Sequence, residues 1–209
     1  MKTLVIISST EETFTSAPDG FNSNLVHCLQ GIKTETDVYF IGEIGQVPSV
    51  APYQNIVISG SDWRISEGDM SCDILYRFKT ILNAARSNSV PVLGICFGAQ
   101  IIAYLGGGTI RASGHGGHTS NGNVSILVSD SAFVGIGKDT IDLSGDVIAM
   151  HYDNIVRVGA HVSVSGKVHD TCGNSHIAVF ESEGVVGVQF HLSMTRIGIA
   201  LLSKFVLGI

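Results

Sequence analysis

The sequence predicts an α/β protein: an open, mostly parallel sheet with flanking helices and a more antiparallel C-terminal half. Three observations predict it. Short β-branched apolar runs alternate with helical segments through the first half. The texture changes past residue 106, where a glycine- and serine-rich stretch gives way to closely spaced alternating strands. Two of these strands flank "SEG" at 182–184, which reads as a hairpin turn.

The first element is a strand at 3–8. Its apolar run, Leu4 to Ile7, is too short for the core of a secretory leader. A helix over 22–32 and strands at 36–41 and 55–59 follow. Residues 67–88 form a long helix, because Met70, Ile74, Leu75, Phe78, Ile81, Leu82 and Ala85 recur at three- and four-residue spacing. Ser66 followed by Asp69 suggests a capping box at its start. A strand at 90–95 runs through "GICFG" into a helical "AQIIAYLGG", and such crossovers imply right-handed βαβ units. Gly106–Gly108 read as a helix stop and turn, not as a phosphate loop. Strands at 123–129, 146–151, 175–181 and 185–191 and a helix at 195–208 complete the chain. With no repeat, linker or low-complexity tract, residues 1–209 read as one domain.

Composition narrows the function. Charged residues make up 14% against about 25% in an ordinary soluble domain, a weak sign of a surface covered by a partner. The net charge of −6 and the absence of a basic cluster argue against nucleic acid. No stretch is long enough to cross a bilayer. Cys28, Cys72, Cys96 and Cys172 are dispersed without a C-x-x-C pair, which suggests reduced thiols and a cytoplasmic setting. His115 and His118 have no cysteine or carboxylate close by in sequence, so a metal is not expected, nor a nucleotide cofactor.

One cysteine stands apart. Cys28 and Cys72 sit in helical apolar patterns and read as core. Cys96 lies between Gly94 and Gly98 at a strand-to-helix junction, the layout of a nucleophile elbow. The helix behind it would lower the thiol pKa, and the Phe97 N–H would meet an oxyanion. A cysteine nucleophile needs a proton acceptor. His191 ends the strand at 185–191, and His151 follows the run at 146–150; chemistry gathers at strand C-termini in open α/β sheets.

At these residues the sequence resembles the class I glutamine amidotransferases, nearest the GMP-synthetase type, and hence their flavodoxin-like fold. "VPVLGICFGAQIIAYLGG", "HGGHTS", "AMHYDNIV" and "GVVGVQFH" follow the family's motifs in order and spacing. The resemblance implies that Cys96 attacks a γ-glutamyl amide to give a thioester and ammonia, with His191 as general base and then acid. It implies an oxyanion hole from Phe97 and Gly60 or Ser61. Gln100 and the loop bearing Gly116, His118, Thr119 and Ser120 would hold the substrate's amino-acid end. His151, with Asp153 in the same motif, would face the ammonia exit and a partner.

The chain departs from the family's pattern in two places. After the histidine it writes Leu192 and Ser193 where the family writes proline and an imidazole-orienting glutamate. Ser193 would orient His191 weakly, or Asp153 would reach in instead. Ser61 stands where the family has a glycine, and a left-handed backbone there would cost serine about 1 kcal/mol or more. The expected substrate is glutamine or another γ-glutamyl compound. With the chain ending at Ile209, ammonia would pass to a separate synthetase subunit. The alternatives are a free-standing γ-glutamyl hydrolase, a redox-sensing thiol, and a degenerate binding or regulatory subunit.

Overall fold

A computed structural model describes residues 1–32, 34–113, 125–128, 131–133, 141–143, 147–169 and 174–208. The chain opens with β1 (Lys2–Ile7), α1 (Glu11–Thr15), α2 (Phe21–Gly31) and β2 (Glu35–Phe40). Next come β3 (Asn55–Ile58), α3 (Cys72–Ser87), β4 (Val92–Ile95) and α4 (Phe97–Leu105). The second half holds β5 (Thr109–Ala112), β6 (Ser125–Val128), β7 (Ile141–Asp142), β8 (Asp153–Arg157) and β9 (Ser163–His169). It ends with β10 (Ser175–Ser182), β11 (Val185–Val188), a 3-10 turn (Leu192–Met194) and α5 (Arg196–Leu207).

The apolar runs explain the layering. In β1, Leu4 and Ile6 face one side of the sheet with Ile56, Ile58, Phe78, Ile81 and Phe97. Val5 and Ile7 face the other with Leu25, Leu29, Val57, Leu93 and Leu202. Helices cover both faces, so alternation of apolar and polar residues is absent in these strands. The parallel part of the sheet runs β2-β1-β3-β4-β11, and β10, β9, β6 and β7 continue it antiparallel. The chain leaves β1 toward one edge and β3 toward the other, which opens a crevice between their C-terminal ends.

Several expectations are corrected. The long helix starts at Cys72, where the Ser71 hydroxyl accepts from the Ile74 N–H at 3.2 Å. Ser66 is therefore no cap, and Cys72 is exposed, not core. Of the strand expected at 146–151, residues 147–151 form no ladder; Ile148 makes one isolated bridge to His191. Helix α1 and strands β5, β8 and β9 were not expected. The predicted strand at 123–129 is seen as β6, its remaining positions lying outside the described residues. Among those described, no helix is long and apolar enough to cross a membrane.

Candidate active site

Strand β4 delivers Cys96 into a tight turn with φ +54° and ψ −109°, a conformation costing a non-glycine residue about 1–3 kcal/mol. The neighbouring glycines make that turn possible. A Cβ on Gly94 would sit 2.5 Å from the Gly98 carbonyl oxygen, and one on Gly98 would overlap the Ile58 carbonyl. The Cys96 N–H is tied to the Val188 carbonyl at 2.8 Å, and its own carbonyl accepts from Ala99 and Gln100 at 3.1 Å each. Two strands and a helix thus hold the elbow.

Strand β11 delivers His191 to the same place. Its backbone N–H donates to Ile148 at 2.7 Å. That bridge is the last ladder contact, which leaves the Met150 carbonyl free to face the site. The Cys96 thiol donates to this oxygen at 3.5 Å and His191 Nε2 at 3.3 Å. Sγ and Nε2 are therefore no further apart than the sum of those two bonds. A carbonyl only accepts, so Nε2 carries the hydrogen of the neutral ring and Nδ1 keeps its lone pair. Gly60 borders both side chains: a Cβ there would lie 3.2 Å from His191 Cε1, 3.6 Å from Cys96 Cβ and 3.9 Å from Nδ1.

Both groups are buried, and burial governs their titration. It pushes the Cys96 thiol up to about 12, reinforced by the Asp62 carboxylate, while the Phe97 N–H aimed at the sulfur pulls downward. The expected lowering by the helix terminus is overturned, since desolvation exceeds it. Burial likewise drives His191 down to about 4 against the opposing Met150 carbonyl. At neutral pH the resting pair is thiol and neutral imidazole.

A cavity of about 400 Å³ opens over the pair. Gly60, Ser61, Asp62, Met150, His151 and Tyr152 line it, and the opposite wall comes from the segment between Ser9 and Ser23. The Gly60 carbonyl accepts from Asn22 Nδ2 at 3.2 Å and from the Ser59 hydroxyl at 2.9 Å, which fixes the Gly60–Ser61 peptide plane. Ser61 is not left-handed, so the expected strain is absent; its hydroxyl accepts from the Trp63 N–H at 3.1 Å.

The remaining expected residues sort clearly. His151 reaches the cavity, 4% exposed; neither ring nitrogen has a hydrogen bond of ordinary geometry among the described residues, and burial drives it down to about 4 against a weaker upward pull from the Asp153 backbone. Gln100 does not line the cavity; its amide donates to the Asp153 carbonyl at 2.8 Å and ties α4 to β8. Asp153 does not reach His191, because its carboxylate accepts from the Ser66 N–H at 2.9 Å and from the Ser66 hydroxyl. Ser193 makes no hydrogen bond to His191 among the described residues. It lies in the 3-10 turn, where its carbonyl accepts from Cys28 Sγ at 3.6 Å. Gly116, His118, Thr119 and Ser120 lie outside the described residues. Within them no cluster of three His, Cys, Asp or Glu side chains is arranged for a metal.

Sequence reasoning missed Phe21, whose ring stacks on His191 with centroids 3.9 Å apart and planes 18° from parallel. It also missed the Met150 carbonyl. Neither carries a local signal: one contact spans most of the chain, and the other is a backbone atom.

The family model for glutamine amidotransferase class-I matches residues 15–209. The GMP synthase [glutamine-hydrolyzing] of Glaesserella parasuis is 36% identical over 126 residues, covering 57% of this chain and 23% of that protein. The enzyme of the same name from Vibrio vulnificus is 31% identical over 156 residues, covering 74% and 27%. The chain thus spans about a quarter of the length of these curated relatives. A crystal structure from Thermoplasma acidophilum, described as that of a GMP synthase subunit, superposes with a TM-score of 0.71 at 19% identity. It covers 99% of this chain and 92% of that one.

Proposed function

We propose that this chain, which belongs to the class I glutamine amidotransferase family, hydrolyses a γ-glutamyl amide with Cys96 as nucleophile and His191 as proton carrier. The observation that carries the reading is the Met150 carbonyl, which gathers the Cys96 thiol and the His191 imidazole at one end of the cavity. Substrate entry would break the thiol's bond to that oxygen and turn Sγ toward Nδ1.

The chemistry follows from those two groups. His191 takes the thiol proton as sulfur adds to the amide carbon, and the carbonyl oxygen becomes an oxyanion. The Phe97 N–H and an N–H of the Gly60–Ser61 turn stabilise that charge. His191 returns the proton to nitrogen, the C–N bond breaks and ammonia leaves a thioester on Cys96. Water then adds with His191 as base, the C–S bond breaks, and glutamate and the thiol are restored. An uncharged resting pair suits this order, since proton transfer and attack occur together once substrate displaces water.

The acceptor of the ammonia is proposed to be a synthetase on a separate subunit, with His151 and Asp153 on the partner side. A free-standing γ-glutamyl hydrolase uses the same steps without a partner. The lack of a hydrogen bond from Ser193 or Asp153 to His191 among the described residues favours a second reading, a catalytically silent binding subunit. One experiment separates the two: ammonia and glutamate are assayed from glutamine and from γ-glutamyl amides, with Cys96→Ser and His191→Ala as controls. Turnover in the wild type, lost in both variants, supports the hydrolase. Substrate binding without turnover, with the candidate synthetase present, supports the silent subunit.

A further inference from the structure

A histidine that shuttles protons needs its ring fixed in two ways. A hydrogen bond at one nitrogen sets the in-plane direction, and a second restraint stops the ring tilting about that bond. The Met150 carbonyl supplies the first. No carboxylate or hydroxyl side chain bonds to His191 among the described residues, because Asp153 is engaged by Ser66 and Ser193 stands off in its turn. What covers the ring is Phe21, nearly parallel at 3.9 Å.

We propose that Phe21 is the positioning residue for His191, its ring holding the plane of the imidazole beside Cys96. The assignment rests on the hydrolase reading above for its catalytic meaning. Its structural basis is independent. Phe21 is the first residue of α2, and that first turn is tied down on both sides: Asn22 donates to the Gly60 carbonyl at 3.2 Å, and the Ser23 hydroxyl donates to Ala17 at 3.0 Å. The aromatic ring is thereby fixed to the same β3 turn that borders Cys96. One short segment sets the imidazole plane and the Gly60 peptide together.

Phe21 also keeps water off the face of His191. Besides His191, the titratable side chains lining the cavity among the described residues are Cys96, His151, Asp62 and Tyr152; the first turn of α2 brings only the uncharged Phe21, Asn22 and Ser23. Burial is the main cause of the imidazole's low pKa. Removing the ring admits water, which favours imidazolium and raises that pKa from about 4 toward 6.5.

The test compares wild type with Phe21→Ala, Phe21→Leu and Phe21→Tyr by two readouts: NMR titration and tautomer of the His191 ring, and steady-state hydrolysis across pH. Phe21→Ala is expected to move the His191 midpoint upward and mix the ring's tautomers. It should lower kcat by about tenfold to a hundredfold with KM changed by less than about twofold. The acid limb of the pH profile should shift to higher pH. Phe21→Tyr should restore both readouts. Phe21 is only half-buried, and if the alanine form fails to fold, Phe21→Leu keeps apolar bulk without a flat face and should still mix the tautomers and lower kcat, while moving the midpoint less. A tautomer unmoved in the folded alanine or leucine variant, or a midpoint unmoved in the folded alanine variant, overturns the assignment. A wild type inert toward every γ-glutamyl amide, with a ring that still responds to Phe21, sinks the hydrolase reading and leaves the positioning role standing.

Discussion

Gly60→Ala places one methyl group against both Cys96 and His191. The backbone permits it, since Gly60 is outside the left-handed region. The new Cβ would lie 3.2 Å from His191 Cε1, where ordinary carbon contacts fall at about 3.5–4.0 Å. The imidazole cannot yield freely: Phe21 lies on its face and Met150 holds Nε2. A displacement of roughly half an ångström at the imidazole follows. A misplacement of about 1 Å costs about a hundredfold in rate, so the expected loss in kcat/KM is about tenfold to thirtyfold. That corresponds to about 1.4–2 kcal/mol of transition-state stabilisation. Ammonia release across a glutamine series measures the loss, and calorimetry should show Tm only about 2–4 °C lower, for about 1 kcal/mol of crowding at this buried position. A kcat/KM within about twofold of wild type would refute the placement of Gly60 against the pair.

Gly98→Ala should act on the fold instead, because its Cβ overlaps the Ile58 carbonyl; about 2–3 kcal/mol of overpacking predicts a Tm about 5–10 °C lower, and an unchanged Tm would contradict the close approach of α4 to β3. Ser193→Ala should leave kcat/KM within about twofold, since the side chain does not bond to His191, whereas a loss like that of a true orienting acid, about ten-thousandfold, would reinstate it. Alkylation of Cys96, mapped by peptide mass, should rise about tenfold per pH unit from pH 7 to about 10, because the thiol is pushed up to about 12; a plateau below about pH 9 would contradict this. His151 and His191 are held neutral, with pKa values lowered from 6.5 to about 4. In that window the unfolded chain binds protons that the folded chain does not. Stability is therefore complete above about pH 6.5 and lost on acidification toward 4, and a flat Tm across the window would count against the buried imidazoles.

The parallel half of the sheet was legible because its signals are local. Leu4 to Ile7, Ile56 to Ile58 and Val92 to Ile95 are apolar on both faces, and the sheet buries both. Cys96 was legible for the same reason: the two glycines that permit its turn are neighbours in sequence. The antiparallel half was harder. Strand β9, "SVSGKVH", alternates weakly and carries a glycine where Val179 packs, so pairing with β10 makes it a strand. Residues 146–151 show the opposite case. Their apolar pattern suits a strand, but a continued ladder would consume the Met150 carbonyl that receives Cys96 and His191. Phe21 and Ser66 act across long sequence separations, and Asp153, read as a reserve acid, is held by Ser66.

The proposed hydrolysis requires that Cys96 become covalently acylated with help from His191. Intact-protein mass spectrometry after a brief incubation with an electrophilic glutamine analogue, followed by peptide mapping, tests it most directly. One adduct is expected, on Cys96, formed by the wild type, slowed strongly in His191→Ala and absent in Cys96→Ser. An unlabelled Cys96, or labelling that proceeds equally well without His191, would contradict it.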